Sequence, residues 1–199
     1  MPKKEQLNIE RPCREQVLFY LNEWDKQENY VLQENALDKL FFDTYPYNTD
    51  INDILIKAAS LNDFYSTNIF SIFAVAEHIH SLNIDNRLRN GDASLVDEIA
   101  DITIKGKKKR FYSFASKYCS HHMPTLFPIY DSYVDRILRF FKKQDGFYSF
   151  PDKDLKNYSR YIEVLNAFQR FYRLEEFNKK DLDRYLWLLG KKYFLRKYN

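Results

Sequence analysis

Glycine is scarce in this chain: four residues in 199, alongside six prolines and two cysteines. So little glycine leaves no Gly/Ser-rich linker, and the sequence reads as a single unit over 1–199 rather than two tethered domains. Cys13 and Cys119 lie far apart and outside C-x-x-C spacing. That excludes a structural zinc site and an iron–sulfur cluster, and it points to a reducing, cytoplasmic setting. No apolar run is long enough to span a bilayer, and the basic N-terminal stretch has no apolar core of signal-peptide length. A soluble protein with no membrane partner is expected. A Walker A loop, G-x-G-x-x-G, G-x-S-x-G and H-E-x-x-H are all missing, as is the H-x-E and C-x-x-C pairing of zinc deaminases. No cofactor and no metal site are expected.

Aromatic side chains, by contrast, are abundant: 16 Tyr, 17 Phe and 2 Trp. Core packing is their first use, and stacking on a base or other planar ligand is the second. Hydrophobic residues make up 45% and charged residues 30% of the chain, which is the balance of a folded globular protein. The net charge is only +3, so any attraction to nucleic acid must come from local clusters.

Apolar residues recur at helical spacing nearly throughout. Val17, Leu18, Leu21 and Trp24 form one face, and Val31, Leu37, Leu40 and Phe41 another, stopped by Pro46. Asp50 caps a third helix. The run 64–82, apolar on most sides, is expected to lie at the centre of the fold. Short helices follow, ended by Gly91 and capped by Asp92 or Ser94. Strand signals are thin, because Ile102–Lys105 alternates for only four residues and no Asn-Gly or Asp-Gly turn follows. A long helix over Leu155–Phe177 and a final one capped by Asn178 complete an all-α, multi-helix globular fold of eight to ten helices. Two packed helical lobes are expected, 1–60 with 145–199 and 61–144. The tail after Gly190 carries four positive charges and no acidic residue.

The stretch with most chemical character is 105–141. Lys105 and Lys107 to Arg110 place five positive charges in six positions, ahead of an aromatic helix carrying Lys117, Tyr118, His121 and His122. A basic turn feeding a helix N-terminus suits a phosphate, and equally a solvated charge run. Asp131 then opens a second helix after Pro128, where it serves as an N-cap or as a carboxylate held ionised for chemistry. Neighbouring histidines diverge on a helix and rarely share one metal ion.

Together these residues resemble the helix-hairpin-helix DNA glycosylase superfamily, which includes endonuclease III and the 8-oxoguanine glycosylases. In that family an L-P-G-V-G-x-K hairpin leads into a helix and then to V-D-T-H-V-x-R-x-x-x-R. Here ITIKGKKKRFYSFASKY occupies the hairpin-helix position and PIYDSYVDRILRF the second motif, with Gly106 kept and the hairpin's Pro and second Gly absent. The resemblance implies DNA as partner and excision of a damaged or modified base. It implies Asp131 as the catalytic aspartate and a Schiff-base lysine from the 107–109 cluster, with Lys108 and Lys109 the candidates. It implies DNA contacts from Lys105, Gly106, Lys107, Arg110, Lys117, His121, His122 and Arg136. A relative that keeps the fold without catalysis, or an all-α interaction protein, is the alternative.

Overall fold

The computed structural model describes residues 8–194, and these build ten α-helices and one two-stranded sheet. The N-terminal part holds α1 (Arg14–Asp25), α2 (Glu28–Asp38) continuing into a π-helical turn over Lys39–Thr44, and α3 (Ile51–Phe64). Asp50 caps α3 through its side chain, which accepts the Asn52 N–H. Next come α4 (Ile72–Ser81), α5 (Asp85–Arg89) and α6 (Ser94–Ala100), then β1 (Asp101–Ile104) and β2 (Lys107–Arg110). The last described elements are α7 (Tyr112–His122), α8 (Ser132–Asp145), a 3-10 turn over Asp152–Lys156, α9 (Tyr158–Tyr172) and α10 (Lys179–Tyr193). The all-α expectation holds, and buried apolar side chains from Ile9 to Leu189 form one continuous core. Arg196 and Lys197 of the basic tail lie outside the described residues.

Three stretches fold differently from the expectation. The long helix expected over 155–177 is α9 alone, Tyr158–Tyr172, preceded by the 3-10 turn over Asp152–Lys156 and ended by Arg173 in the left-handed conformation. The run 64–82 is not one central helix: α3 ends at Phe64 and α4 begins at Ile72. Between them Asn62 supplies the missing partners, accepting from the Thr67 hydroxyl and the Ile69 N–H. Ser66 and Asn68 take left-handed conformations, a region open mainly to glycine and short polar residues. Phe70 and Phe73, expected in the core, are instead exposed.

The basic segment is a β-hairpin, not a turn. Ile104 pairs with Lys107 and Asp101 with Arg110 across an antiparallel register. Lys105 and Gly106 form the two-residue connection, both at positive φ, as a hairpin twisting with its strands requires.

The central helix is α7. Ten of its eleven residues are buried, including Ser116, Lys117, Ser120, His121 and His122. Its polar letters conceal its position from a periodicity reading, because burial there is met by hydrogen bonds rather than by apolar character. The Ser116 hydroxyl accepts the Tyr130 N–H at 3.0 Å, fastening α7 to the segment that leads into α8. In turn α8 packs on α10, and Gly190 permits the approach. A Cβ there would lie 2.6 Å from the Tyr133 Cβ and 2.9 Å from its carbonyl oxygen. This close crossing sets Tyr133 beside Trp187.

Candidate functional site

A cleft of about 910 Å³ opens where α7, the start of α8 and α10 meet α2 and the 64–69 segment. Asp131 sits at its wall as the N-cap of α8. One carboxylate oxygen accepts the Tyr133 N–H at 2.7 Å, while Oδ2 stands 3.6 Å from the Lys117 Nζ. The carboxylate is therefore only half used by its own helix. Lys117 reaches the same wall from α7 with its side chain 4% exposed, donating to the Ser113 hydroxyl and lying 5.0 Å from the Tyr65 ring centre. Burial lowers the affinity of its amine for a proton, and Asp131 opposes that only in part. Lys117 is thus a desolvated amine held against an aromatic face and a carboxylate.

Aromatic rings line much of the remaining wall. Trp24 and Tyr30 stack with centres 5.9 Å apart, and Trp187 meets both edge-on. Tyr112 and Tyr130 add a second aromatic pair, centres 4.7 Å apart. Six cations line the cleft (Arg110, Lys117, Lys156, Lys180, Arg184 and Lys191) against three acids (Glu34, Asp131 and Asp183). Glu34 is taken by Lys180 at 2.6 Å and Arg184 at 2.5 Å. A large planar-walled space with excess positive charge suits a planar, anionic ligand.

Asp183, on α10, carries no signal in the sequence. It is 5% exposed. Its Oδ2 accepts the Ile129 N–H at 2.9 Å, and its Oδ1 has no hydrogen-bond partner among the described residues. Burial pushes its carboxyl up to about 7, against Lys180, Lys117 and Lys179, which lower it. Because the folded chain holds this proton up to about pH 7 and the unfolded chain releases it near 3.8, rising pH between those values shifts the balance toward the unfolded chain, and the full loss is reached above pH 7. Asp183→Asn is therefore expected to match the wild type near pH 4 and to exceed it by ~2–4 kcal/mol above pH 7, read from urea unfolding at each pH. Equal stabilities at pH 8 would show that Asp183 is not desolvated.

The sequence candidates divide sharply. Asp131, Lys117 and Arg110 all line the cleft, and Arg110 is held by Asp97, Asp101 and the Lys156 carbonyl. Lys108 and Lys109, expected to be catalytic, lie on exposed β2 outside the cleft lining, with Lys105, Gly106 and Lys107 beside them at the hairpin tip. The lysine facing Asp131 is Lys117 instead, one element further on. His121 and His122, expected to touch DNA, are 1% and 5% exposed and belong to the core. His121 Nε2 pairs with the Tyr65 hydroxyl at 2.9 Å, and His122 Nε2 faces Asn48 and Lys57. Burial pulls the proton affinity of both below the usual imidazole value. Arg136 is exposed and donates to the Phe194 carbonyl. No group of three His, Cys, Asp or Glu among the described residues is placed to hold a metal ion, and no described helix is long and apolar enough to cross a membrane.

Comparison with known proteins places the chain. The HI_0787_N family model, described as an N-terminal domain, matches residues 16–126, more than half of the sequence, and the chain belongs to that family. An uncharacterized protein of Haemophilus influenzae is 53% identical over 152 residues, covering 76% of this chain and 73% of that protein. No solved structure matches. The family match includes Lys117 and stops before Asp131 and α10, so the cleft draws its walls from both sides of that boundary.

Proposed function

We propose that this protein binds DNA across the cleft and releases a base by breaking its N-glycosidic bond, with Lys117 and Asp131 at the reacting centre. The observation that carries the reading is the Lys117–Asp131 pair, 3.6 Å apart inside a cation-rich, aromatic-walled cleft. The aromatic walls suit a nucleotide swung out of its stack, and the cations suit the phosphates flanking it.

In this scheme the neutral Lys117 amine bonds to the sugar C1′ as the C1′–N bond to the base breaks. The bonding pair leaves with the base, which takes up a proton, and the amine's surplus proton passes to Asp131 or water. The nitrogen lone pair then forms the C1′=N bond of the iminium adduct as the C1′–O4′ bond breaks, and O4′ leaves with that bonding pair and takes up a proton from protonated Asp131 or water. Ionised Asp131 offsets the positive charge that develops on the sugar. Burial favours the neutral amine this step needs. The test is incubation with duplexes carrying a range of base lesions, comparing the wild type with Asp131→Asn. Release of a base by the wild type and a loss of ~10²-fold or more in the variant is expected. Equal activity in both, or none on any lesion, removes the catalytic claim.

The exposed lysines of β2 have a separate role in this reading, gripping the backbone beside the cleft. Replacing Lys107, Lys108 and Lys109 by Ala should weaken DNA binding about equally across sequences. It should also flatten the slope of log affinity against log salt by roughly 1 for each phosphate that is no longer neutralised. A slope unchanged from the wild type would take the hairpin out of the interface. A non-catalytic DNA-binding relative would show the same slope and no lesion processing.

A further inference from the structure

Four of the six cations in the cleft wall are already neutralised by the protein itself. Arg110 is paired with Asp97 and Asp101, Lys117 with Asp131, and Lys180 and Arg184 share Glu34. Lys156, at the end of the 3-10 turn, and Lys191, in the last turn of α10, form no ion pair among the described residues. Each lies instead on an aromatic face. The Lys156 Nζ is 4.3 Å from the Tyr130 ring centre, and the Lys191 Nζ is 4.5 Å and 4.9 Å from those of Tyr30 and Trp187. The two lysines are reached from Asp131 in opposite directions along the chain: Lys156 covers Tyr130, the residue before it, and Lys191 covers Trp187, which meets Tyr133 edge-on. We infer that Lys156 and Lys191 hold the phosphates on the two sides of the nucleotide whose sugar meets Lys117 and Asp131, so that the cleft recognises a nucleoside 3′,5′-bisphosphate unit. This rests on the reading of the cleft as a nucleotide site, and it adds the groups that grip the strand and the ligand unit they require.

The chemistry follows from the unspent donors. Lys156 donates one hydrogen bond to the Tyr130 phenol and Lys191 one to the Tyr30 phenol. An ammonium has three N–H groups, which leaves two on each for a ligand. Lys156 is exposed and Lys191 half-buried, in contrast to the sealed Lys117. A phosphate oxygen takes such a donor in a charge-assisted bond, and at these two positions it displaces no resident carboxylate, as it would at the other four cations. The phenols fix the ammonium groups in advance: Tyr130, which accepts from Lys156, is itself anchored by donating to Asp135. Burial lowers the proton affinity of Lys156, Asp135 opposes this, and Arg139 and Arg110 add to the effect of burial. A bound phosphate beside the amine would offset all of these costs.

The experiment is titration of the protein with thymidine, thymidine 5′-monophosphate and thymidine 3′,5′-bisphosphate at low salt, followed by the fluorescence of Trp24 and Trp187 in the cleft wall. Each phosphate should tighten binding to the wild type by ~10-fold. Lys156→Gln and Lys191→Gln should each lower bisphosphate affinity by ~10-fold while thymidine affinity stays as it was, and Lys156→Arg and Lys191→Arg should retain the wild-type values. Lys153→Gln removes the same charge from an exposed position outside the cleft lining, and it should change nothing. Bisphosphate bound no more tightly than monophosphate, an unchanged affinity in either cleft variant, a loss in Lys153→Gln as large as theirs, or no binding of the bisphosphate would each overturn the assignment. Those outcomes leave Lys117-dependent base release standing. Conversely, a wild type inert on every lesion that still grips the bisphosphate through both lysines would sink the reaction and keep the recognition.

Discussion

Lys117→Met is expected to abolish base release, lowering the rate by ~10²–10⁴-fold, while leaving the fold as stable as the wild type or more so. The two halves of this expectation separate a catalytic lysine from a structural one. The Lys117 side chain is almost wholly desolvated, and its partners are a carboxylate at 3.6 Å and the Ser113 hydroxyl. Methionine keeps the apolar stem, removes a buried charge, and leaves Asp131 with its cap on the Tyr133 N–H. The Asp131 side chain is 19% exposed, so water can solvate the carboxylate once the lysine is gone. A pair serving only the fold would show the opposite pattern: a lower melting temperature and no change in any reaction. Measuring thermal unfolding beside single-turnover base release on the same preparations distinguishes them.

A large loss of stability is expected elsewhere, at Lys57. This side chain is fully buried, and its Nζ donates to the carbonyls of Tyr45 and Tyr47 at 2.9 and 2.8 Å and to the Asn48 side-chain oxygen at 2.9 Å. Asn48 in turn donates to Asp85 and faces His122 Nε2 at 3.1 Å, and its oxygen also accepts the Tyr118 hydroxyl. Two donors converge on His122 Nε2, so that nitrogen is the acceptor and the ring is neutral with its proton on Nδ1. Burial draws the Lys57 ammonium down to about 8, with Asp85 and Asp53 opposing. The network fastens the 45–48 segment to α3 and to the end of α7, the helix that carries Lys117. Lys57→Met removes the charge but strands several acceptors at once, at a cost of ~3–5 kcal/mol, equivalent to a fall of roughly 10 °C in melting temperature for a chain of this size. A melting temperature within a degree or two of the wild type would mean that the segment is held by other interactions.

These two lysines show what can and cannot be read from the sequence. Apolar spacing and caps locate α1, α3, α8 and α10, because Asp50, Asp131 and Asn178 satisfy the first N–H groups of their helices as such residues do. Asp131 is legible for the same reason: a carboxylate after a proline-bearing loop has a local signature. Lys117 lacks one. Five positive charges within 105–110 draw attention to the hairpin, so Lys117 reads only as one more DNA contact until packing shows it buried beside Asp131. His121 and His122 mislead in the opposite sense, since polar letters at a helix end suggest surface. Only their pairing with Tyr65, Asn48 and Lys57, between 56 and 74 residues away in sequence, reveals them as core. Asp183 is the plainest case. Its spacing from Asp181 and Arg184 is that of an ordinary helix start, and the missing partner at Oδ1 is a property of tertiary packing alone.

The claim on which the reaction depends is that the amine facing Asp131, and not the hairpin cluster, meets the sugar. Borohydride trapping on lesion-bearing duplexes, followed by peptide mapping of the adduct, examines it directly. A reduced sugar adduct on Lys117, absent in Lys117→Met, is the predicted result. An adduct on Lys107, Lys108 or Lys109, or a trapped yield undiminished in Lys117→Met, would contradict it.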